Sequence, residues 1–298
     1  MTASLSEAPP ADAMQILIDT FGLSRPLSIV DIGANPIIGG TPPYKPLLDR
    51  GVARLSGFEP QADAFAQLVA GARPNETYLP YAVGDGADHT LHICRSPGMA
   101  SLLEPDPQSM ALFHGFPKWG EVVETRPVAT HRLDDIAEID AVDYLKIDVQ
   151  GSELAVFQGG RDKLSSAMAV HTEVSFVTLY RNQPTIGDID LALRSLGFIP
   201  HAFVDINRRA IAPITIDNDI YRGLNQLLEA DMVYLRDFRD PATLSDEQLK
   251  FLAIIAQGCY GSFDLAARCL KTLIGRGTAA SGAMPAFLRA LNNSGPSH

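Results

Sequence analysis

Cysteine, basic residues and long apolar runs are scarce in this sequence. Its 298 residues include 3 cysteines without a disulfide framework or metal-ligand spacing, which predicts a reducing compartment. Lys and Arg number 24 against 35 Asp and Glu, giving a net charge of -11, and no basic run offers a nucleic-acid surface. The longest apolar runs, such as 251–256, are too short to cross a bilayer, and residues 1–10 lack a signal-peptide pattern. We therefore expect a cytoplasmic protein without a nucleic-acid or membrane partner.

The composition is that of a globular protein, with 46% hydrophobic and 20% charged residues. The length fits one large domain with an appendage, or at most two domains. We predict an N-terminal helical segment over 1–26, a main domain over 27–240 and a C-terminal helical extension over 241–298. The C-terminal helices are candidates for a helical cap, a homodimer contact or an arm without a part in chemistry.

Short apolar runs alternate with helical segments through the main domain. This alternation predicts an α/β fold with a doubly wound, mostly parallel sheet and helices on both faces. The predicted strands are 27–32, 53–58, 78–83, 142–147, 168–174, 198–204 and 232–235. The predicted helices are 11–22, 43–50, 62–71, 152–164, 186–196, 246–257, 263–274 and 284–291.

Two segments interrupt the alternation. Residues 95–120 combine several Pro and Gly with Met, Phe and Trp, which is typical of a lid or binding loop and also of a surface excursion packed on the core. Residues 205–230 are predicted as a long connection between the last two strands. Residues 180–183 form a polar stretch that either contacts a substrate or makes a turn.

The turn after the first strand is the most informative place in the sequence. Asp31 ends the strand, and Gly33 lets the backbone approach a ligand at the carboxyl edge of the sheet. Asn35 extends the same loop, but the glycine fingerprint of dinucleotide-binding proteins is absent. Glu59, at the end of the second strand, is placed to accept hydrogen bonds from ribose hydroxyls. Asp85 follows the third strand, either near an adenine ring or only as a turn residue.

Polar residues also interrupt the two buried strands that follow. Lys146 and Asp148 lie on the fourth strand and at its exit, and burying either costs free energy unless it finds a partner. His171 and Glu173 lie on the fifth strand, two positions apart and therefore on the same side. A mutual salt bridge would explain Lys146 and Asp148, whereas their place at the carboxyl edge favours a functional site.

In combination, these stretches resemble the FkbM family of methyltransferases. The similarity extends over about 27–237 and is carried by 30–35, 58–60, 133–136, 142–153, Glu173 and 179–184. Membership would imply a Rossmann-like methyltransferase fold, S-adenosylmethionine as methyl donor and usually a hydroxyl acceptor on a small molecule or sugar.

The resemblance also implies roles for single residues. Asp31, Gly33 and Asn35 would face the amino-acid part of the cofactor, Glu59 its ribose, and Asp148 the transferred methyl group. Two departures stand out: residues 36–38 delay the glycine that usually follows the Asn, and Gln150 stands where an acid is common.

A hydroxyl acceptor has to lose its proton during methyl transfer. Candidates for the base are Asp148, Glu173, His171 and, if burial lowers its pKa, Lys146. Asp148 and Glu173 could also present carboxylates to one Mg²⁺, but two carboxylates are a thin ligand set. The sequence favours a site without a metal.

Two other functions remain open from the sequence alone. The pairing of Asp31 with Glu59 also fits an NAD-dependent oxidoreductase, although the missing glycine fingerprint argues against it. A non-catalytic protein could use the same Rossmann-like core to bind a cofactor or partner without turnover.

Overall fold

A computed structural model describes residues 12–35 and 40–294 of the chain. The described residues divide into two compact units. One unit combines 12–27, 42–53 and 238–294, and the other combines 28–35, 40–41 and 54–237. The predictions made for 1–10 and for the loop over 36–38 lie outside the described residues.

The first unit is helical and brings the two ends of the described chain together. Its helices are α1 (Ala13–Phe21), α2 (Lys45–Asp49), α9 (Asp246–Tyr260), α10 (Phe263–Gly275) and α11 (Ala283–Ser294), numbered in chain order. The helix α1 packs against α9 and α11. The sequence analysis assigns α1 to the N-terminal segment, α2 to the main domain and the last three helices to the C-terminal extension, whereas the structure places all five in one unit.

Local sequence accounts for where these helices begin and end. Asp12 caps α1 by accepting a hydrogen bond from the Gln15 N–H, and Gly22 ends the helix in the left-handed conformation. Ser245 and Gln248 form a capping box at the start of α9. No helix in the described part of the chain is long and apolar enough to cross a membrane.

The second unit is built on a seven-stranded sheet. Its strands are β1 (Leu27–Ile32), β2 (Ala53–Phe58), β3 (Glu76–Leu79), β7 (Tyr144–Ile147), β8 (Ala169–Ser175), β9 (Phe198–Arg209) and β10 (Gln226–Arg236). They lie in the order β3-β2-β1-β7-β8-β10-β9. The strands β1, β7 and β8 are parallel neighbours, and β2 pairs in parallel with β3. The fold is therefore the predicted α/β class, with β10 and β9 as an antiparallel end.

Connecting helices follow most of the parallel strands. They are α3 (Ala62–Gly71), α6 (Glu153–Gly159), α7 (Arg161–Leu164) and α8 (Ile186–Ser195). The main hydrophobic core unites apolar side chains of the sheet with α6 and α8, and Val30, Leu145 and Val170 lie at its centre. Apolar burial of this extent is the main favourable term in folding, and it fixes the strand ends that carry the polar residues.

The prediction of a strand over 78–83 is wrong. The structure ends β3 at Leu79 and places β4 (Ala82–Val83) in a separate three-stranded sheet. Pro80 lies between them and has no N–H to donate to a strand neighbour, which accounts for the break.

The other two strands of that small sheet were not predicted. They are β5 (Asp88–Cys94) and β6 (Val122–His131), which pair antiparallel over most of their length. Most residues of β6 are exposed, so its pattern lacks the apolar alternation that identifies a half-buried strand.

The long connection predicted over 205–230 is also wrong. The strand β9 continues to Arg209 and β10 begins at Gln226, so the two strands form a longer hairpin than the sequence indicates. Near Asp205 most positions of β9 are exposed and the register shifts, so the sequence lacks the regular apolar pattern that would predict the end of this strand.

Residues 95–120 form a folded excursion with its own apolar cluster. The segment contains the short helices α4 (Pro107–Met110) and α5 (Phe116–Trp119). Met99, Phe113 and Tyr180 belong to the buried cluster that supports it. The surface excursion predicted as one alternative is present, and its contact with the functional edge is described below.

Candidate functional site at the carboxyl edge of the sheet

A cleft lies along the carboxyl ends of β1, β2 and β7. Its volume is about 880 Å³, including open solvent at its mouth. Four of the sequence-predicted site residues line it, namely Gly33, Asn35, Glu59 and Asp148.

Gly33 allows two strand exits to approach each other. Its φ angle is +84°, and a Cβ at this position would lie 2.1 Å from the backbone oxygen of Asp148. No L side chain fits there without moving the backbone. The N–H groups of Gly33 and Ala34 both donate to the Phe58 carbonyl, which fixes the loop against the end of β2.

Glu59 presents a buried carboxyl group to the cleft. The residue is 2% exposed, and its Oε1 accepts a hydrogen bond of 2.7 Å from the Gln61 N–H. Burial raises the pKa of Glu59, and the Gln61 hydrogen bond offsets part of that effect. Tyr81 and Val83 line the same cleft and add apolar surface to its wall.

The turn after β7 is shaped by successive residues with positive φ. Gln150 has φ +54° and Gly151 has φ +102°. The Glu153 carboxylate accepts hydrogen bonds from the N–H groups of Val149 and Gly151, at 3.1 and 3.2 Å. Burial raises the pKa of Glu153 to about 7 despite these bonds. The turn holds Asp148, Val149 and Gln150 on the cleft wall.

Asp31, Lys146 and His171 form a row just before this edge. They are directly opposite one another in the register of β1, β7 and β8. The Nζ of Lys146 lies 3.6 Å from the Asp31 Oδ1. Asp31 and Lys146 therefore make a structural ion pair across two strands. The prediction that Asp31 contacts the cofactor finds no support in this placement.

The pKa shifts of Lys146 and His171 argue against either residue as the base. Burial opposes the charge on Lys146, but Asp31, Asp148 and Asp231 outweigh it and raise the pKa of Lys146. A lysine base needs the opposite shift. Burial and the nearby Lys146 charge lower the pKa of His171 to about 4, so its imidazole is neutral at pH 7 and a weak proton acceptor.

Glu173 reaches the site through Gln150. The Nε2 of Gln150 donates to the Asp148 Oδ1 at 3.0 Å and to the Glu173 Oε2 at 3.3 Å. The hydroxyl of Tyr180 lies 3.3 Å from the Gln150 Oε1 and 3.1 Å from the Met99 carbonyl oxygen. Burial and neighbouring carboxylates, first Asp148, raise the pKa of Glu173 well above its ordinary value.

Asp85 is engaged elsewhere. Its Oδ1 lies 2.8 Å from the His89 Nε2 and accepts a hydrogen bond of 3.2 Å from the Thr130 hydroxyl. These bonds and one from the Ala87 N–H lower the pKa of Asp85 to about 2. Asp85 lines a second cavity with Leu102 and Gly151, so the structure favours the turn role over the adenine role.

The excursion over 95–120 closes part of the cleft. Pro97, Gly98 and residues 100–102 line it. Ser101 is 1% exposed, and its hydroxyl donates to the Gln150 carbonyl at 2.7 Å and accepts from the Leu103 N–H at 3.0 Å. This segment is thus both a packed excursion and a wall of the cleft.

The comparison with protein families identifies the family of the chain. The model of the methyltransferase FkbM domain matches residues 31–200, more than half of the chain. The chain belongs to the FkbM methyltransferase family. A comparison with curated proteins finds no match.

Solved methyltransferase structures are similar to this chain at a low level. Magnesium protoporphyrin IX methyltransferase from Synechocystis PCC 6803, solved with bound SAM, is 11% identical, with 76% of each chain covered and a TM-score of 0.34. TYW2 from M. jannaschii, in complex with AdoMet, is 9% identical over 78% of this chain and 79% of that one, with a TM-score of 0.34. The 23S rRNA methyltransferase ErmE is 10% identical over 94% and 96%, also at 0.34. Scores this low carry no argument about the site.

Several residues of the FkbM cleft were missed in the sequence. Gln61, Leu91, Ser101, Val128 and Gln150 line it, and Gln150 also donates to both Asp148 and Glu173. Leu91 and Val128 belong to the unpredicted strands β5 and β6. Two of these residues carried a signal: Ser101 lies in the segment predicted as a possible binding loop, and Gln150 departs from the acid common at its position.

The described residues contain no group of three or more His, Cys, Asp or Glu that could hold a metal ion. The two carboxylates considered as Mg²⁺ ligands, Asp148 and Glu173, instead accept from one amide nitrogen.

Proposed function

We propose that this FkbM methyltransferase binds S-adenosylmethionine in the cleft and methylates a hydroxyl group on a small molecule or sugar. One observation carries the proposal. Gly33, Glu59 and Asp148, from three strand ends that are distant in sequence, line one cleft at the carboxyl edge of the sheet. Ligands of open α/β sheets bind at this edge.

The cleft offers a distinct environment for each part of the cofactor. The buried carboxyl group of Glu59 is suited to accept from ribose hydroxyls, and the apolar wall of Tyr81, Leu91 and Val128 is suited to a flat adenine ring. Gly33 and Asn35 line the part of the cleft beside Asp148, where the methionine part of the cofactor would lie. When bound, S-adenosylmethionine supplies an electrophilic methyl group on a sulfonium sulfur.

Asp148 is the base that the geometry favours. Among the four candidate bases, it lines the cleft, whereas Lys146 and His171 lie in the row before it. Its carboxylate can accept the proton of an acceptor hydroxyl as the oxygen bonds to the methyl carbon and the carbon–sulfur bond breaks. Lys146 stays protonated and compensates the charge of Asp31. The protein otherwise contributes by alignment, which is worth several kcal/mol in transfers of this type.

Charge and the lining of the cleft support an acceptor class. The net charge of -11 disfavours a polyanionic acceptor such as nucleic acid. A hydroxyl group needs a base, and the cleft presents one carboxylate for that purpose. These points support a small molecule that carries a hydroxyl group as the methyl acceptor.

The test is methyl transfer from S-adenosylmethionine labelled in its methyl group to a library of hydroxylated compounds, read by mass spectrometry. We expect a labelled O-methyl product together with S-adenosylhomocysteine. In Asp148→Asn we expect kcat to fall by about 10²-fold or more with cofactor affinity retained. Asp88→Asn, an exposed residue of β5, is the matched control and should keep full activity.

Three outcomes contradict the proposal at different levels. Tight binding of NAD without binding of S-adenosylmethionine supports an oxidoreductase instead. Cofactor binding without transfer to any acceptor supports a non-catalytic protein. Transfer to amines alone supports a methyltransferase with a different acceptor atom.

A further inference from the structure

We propose that Gln150 is a positioning residue whose side-chain amide holds the carboxyl groups of Asp148 and Glu173 together and keeps Asp148 at the wall of the cleft. We call Gln150, Asp148 and Glu173 the amide clamp. The clamp as a structural unit is independent of the reaction, and its catalytic effect rests on the proposed function.

The clamp is defined by hydrogen bonds on both ends of one amide. The Nε2 group donates to both carboxyl groups, at 3.0 Å for Asp148 and 3.3 Å for Glu173. The Oε1 atom lies 3.3 Å from the hydroxyl of Tyr180, a residue that is 2% exposed. An amide has two N–H donors and one acceptor oxygen, so this orientation matches each of its groups to a partner of the right kind.

The backbone of Gln150 holds the amide at this place. Its φ of +54° lies in the left-handed region, which is unfavourable for a non-glycine residue. The Ser101 hydroxyl donates to its carbonyl oxygen, and Glu153 binds the N–H groups on either side of it. Glycine would adopt this conformation at less cost. A long polar side chain at such a position therefore points to a role for the side chain.

Carboxylates outnumber cations around the clamp. Glu173 is surrounded by Asp148, Glu229, Glu153 and Asp231, and all of them favour a proton on it. The Gln150 amide donates to the pair, and the Tyr180 hydroxyl lies against the other end of that amide.

Two cations lie nearby, and each already has a carboxylate partner. Lys146, on β7, lies 3.6 Å from Asp31, and Arg209, on β9, lowers the pKa of Glu229. Both carboxyl groups accept from the same amide, and burial and the neighbouring carboxylates, first Asp148, raise the pKa of Glu173. Glu173 is therefore the group that keeps its proton to a higher pH.

The amide matters because it donates to Glu173 as well as to Asp148 without adding charge. A hydrogen bond from a neutral N–H to a carboxylate favours the charged form. Methionine at position 150 has a similar length but offers no such donor, so Glu173 should give up its proton at a higher pH. Glutamate at position 150 would remove the donors and add a third negative charge, with a larger effect in the same direction.

The primary test is an infrared pH titration of the protonated carboxyl band in the full chain, which needs no substrate. We expect a band in the wild type that is absent from Glu173→Gln. In Gln150→Met its midpoint should rise by about one pH unit, and in Gln150→Glu by more. Gln108→Met, at an exposed position of α4, is the matched control and should leave the midpoint unchanged. An unchanged midpoint in both folded Gln150 variants overturns the clamp, and so does a wild type without the band.

A kinetic readout separates positioning from mere structural support. The pH at which kcat reaches half its maximum should move upward in Gln150→Met by the same amount as the infrared midpoint, with KM for the cofactor unchanged. Gln150→Asn keeps an amide and tolerates positive φ, so its pH profile should lie between those of Gln150→Met and the wild type. A loss of folding stability with an unmoved pH profile overturns the positioning role.

The two proposals fail in different ways. A shifted infrared band in a protein that transfers no methyl group supports the clamp and contradicts the proposed function. Efficient O-methylation with neither readout shifted supports the proposed function and contradicts the clamp.

Discussion

At the residue scale, each carboxyl group near the sheet edge is set apart by what it contacts. Asp31 pairs with Lys146, Glu59 accepts from the Gln61 N–H, and Glu153 accepts from backbone N–H groups of the β7 turn. Asp148 shares an amide with Glu173 and lies on the cleft wall. Asp31 and Glu153 are therefore engaged within the fold, whereas Glu59 and Asp148 line the cleft.

Glu59 is the residue whose loss should most directly weaken cofactor binding. Its carboxyl group is buried on the wall of the cleft and is suited to the ribose hydroxyls. We expect Glu59→Ala to weaken S-adenosylmethionine binding by about 1–3 kcal/mol, measured by calorimetry. Glu124→Ala, which removes an exposed glutamate of β6, should leave the affinity unchanged. Equal affinities for both variants would show that the ribose lies elsewhere.

Gly33→Ala should disturb both folding and binding. The added Cβ would lie 2.1 Å from the Asp148 carbonyl oxygen, and the φ of +84° is unfavourable for alanine. We expect a loss of at least about 1–3 kcal/mol in the free energy of unfolding by denaturant titration. Gly71→Ala, in α3, has nothing within 4 Å of the added Cβ and is the control. Similar stabilities of the two variants would contradict the close approach of β1 and β7.

The sequence identifies some of the residues at the carboxyl edge from their positions after predicted strands. Gly33, Glu59 and Asp148 each follow an apolar run directly, and strand ends of parallel sheets share one edge. Asp31 and Lys146 also lie near the ends of apolar runs, but they pair with each other. The sequence pattern does not predict this pair, because a pair across two strands depends on their register. Gln150 binds Asp148 and Glu173 only because of a turn conformation that no spacing rule predicts.

At the element scale, the turn from β7 to α6 and the excursion over 95–120 act together. Ser101 ties the excursion to the turn through the Gln150 carbonyl, and a Cβ on Gly151 would lie 3.0 Å from Leu103. The excursion thus supports the conformation of the turn that presents Asp148 and Gln150.

Ser101→Ala tests this support. The substitution leaves the buried Gln150 carbonyl and the Leu103 N–H without their partner, which should cost about 1–3 kcal/mol of stability. We also expect faster amide hydrogen exchange across 97–103 and in the β7 turn. Ser165→Ala removes an exposed serine of the same unit and is the control. Unchanged exchange in Ser101→Ala would show that the turn holds its shape alone.

Elements with regular apolar patterns were predicted well, and those without them were not. The bounds of β1, β2 and α3 agree with the sequence prediction residue by residue. The antiparallel pair of β5 and β6 was missed because its side chains are mostly exposed or only partly buried. The paired residues lie far apart in sequence, from Cys94 with Val122 to Asp88 with Ala129, and such pairing leaves no local signal when neither face is buried.

At the scale of the whole molecule, buried carboxyl groups determine how stability responds to pH. Burial raises the pKa of five such groups, namely Glu59, Glu153, Glu173, Glu229 and Asp231. The folded protein therefore binds more protons than the unfolded chain above the ordinary pKa of these groups. His171, with its pKa lowered to about 4, acts in the opposite direction below pH 6.5. Five groups outweigh one, so stability should fall as the pH rises towards 7.

Glu153→Gln isolates one contribution to this fall. The pKa of Glu153 rises from 4.5 to about 7 on folding, so its stabilising proton is lost as the pH rises through this window. We expect the free energy of unfolding, from denaturant titrations at a series of pH values, to fall less steeply between pH 4.5 and 7 in the variant. Glu124→Gln, at an exposed position, should keep the wild-type slope. An unchanged slope in Glu153→Gln would contradict the proton on Glu153.

The general architecture was predictable at this scale, and the grouping of its helices was not. The mostly parallel sheet and the helices between its strands agree with the alternation of short apolar runs and helical segments in the sequence. The union of α1 with α9 and α11 depends on contacts between distant segments, which amphipathic faces do not specify. A homodimer through the C-terminal helices and a cytoplasmic location stay predictions.

The central claim is that the cleft at the carboxyl edge is a site for S-adenosylmethionine. Calorimetric titration of the full chain with S-adenosylmethionine, S-adenosylhomocysteine and NAD tests it most directly. We predict saturable binding of the first two, weakened in Glu59→Ala, and no binding of NAD. Binding of NAD alone, or equal affinity of wild type and Glu59→Ala for S-adenosylmethionine, would contradict the account.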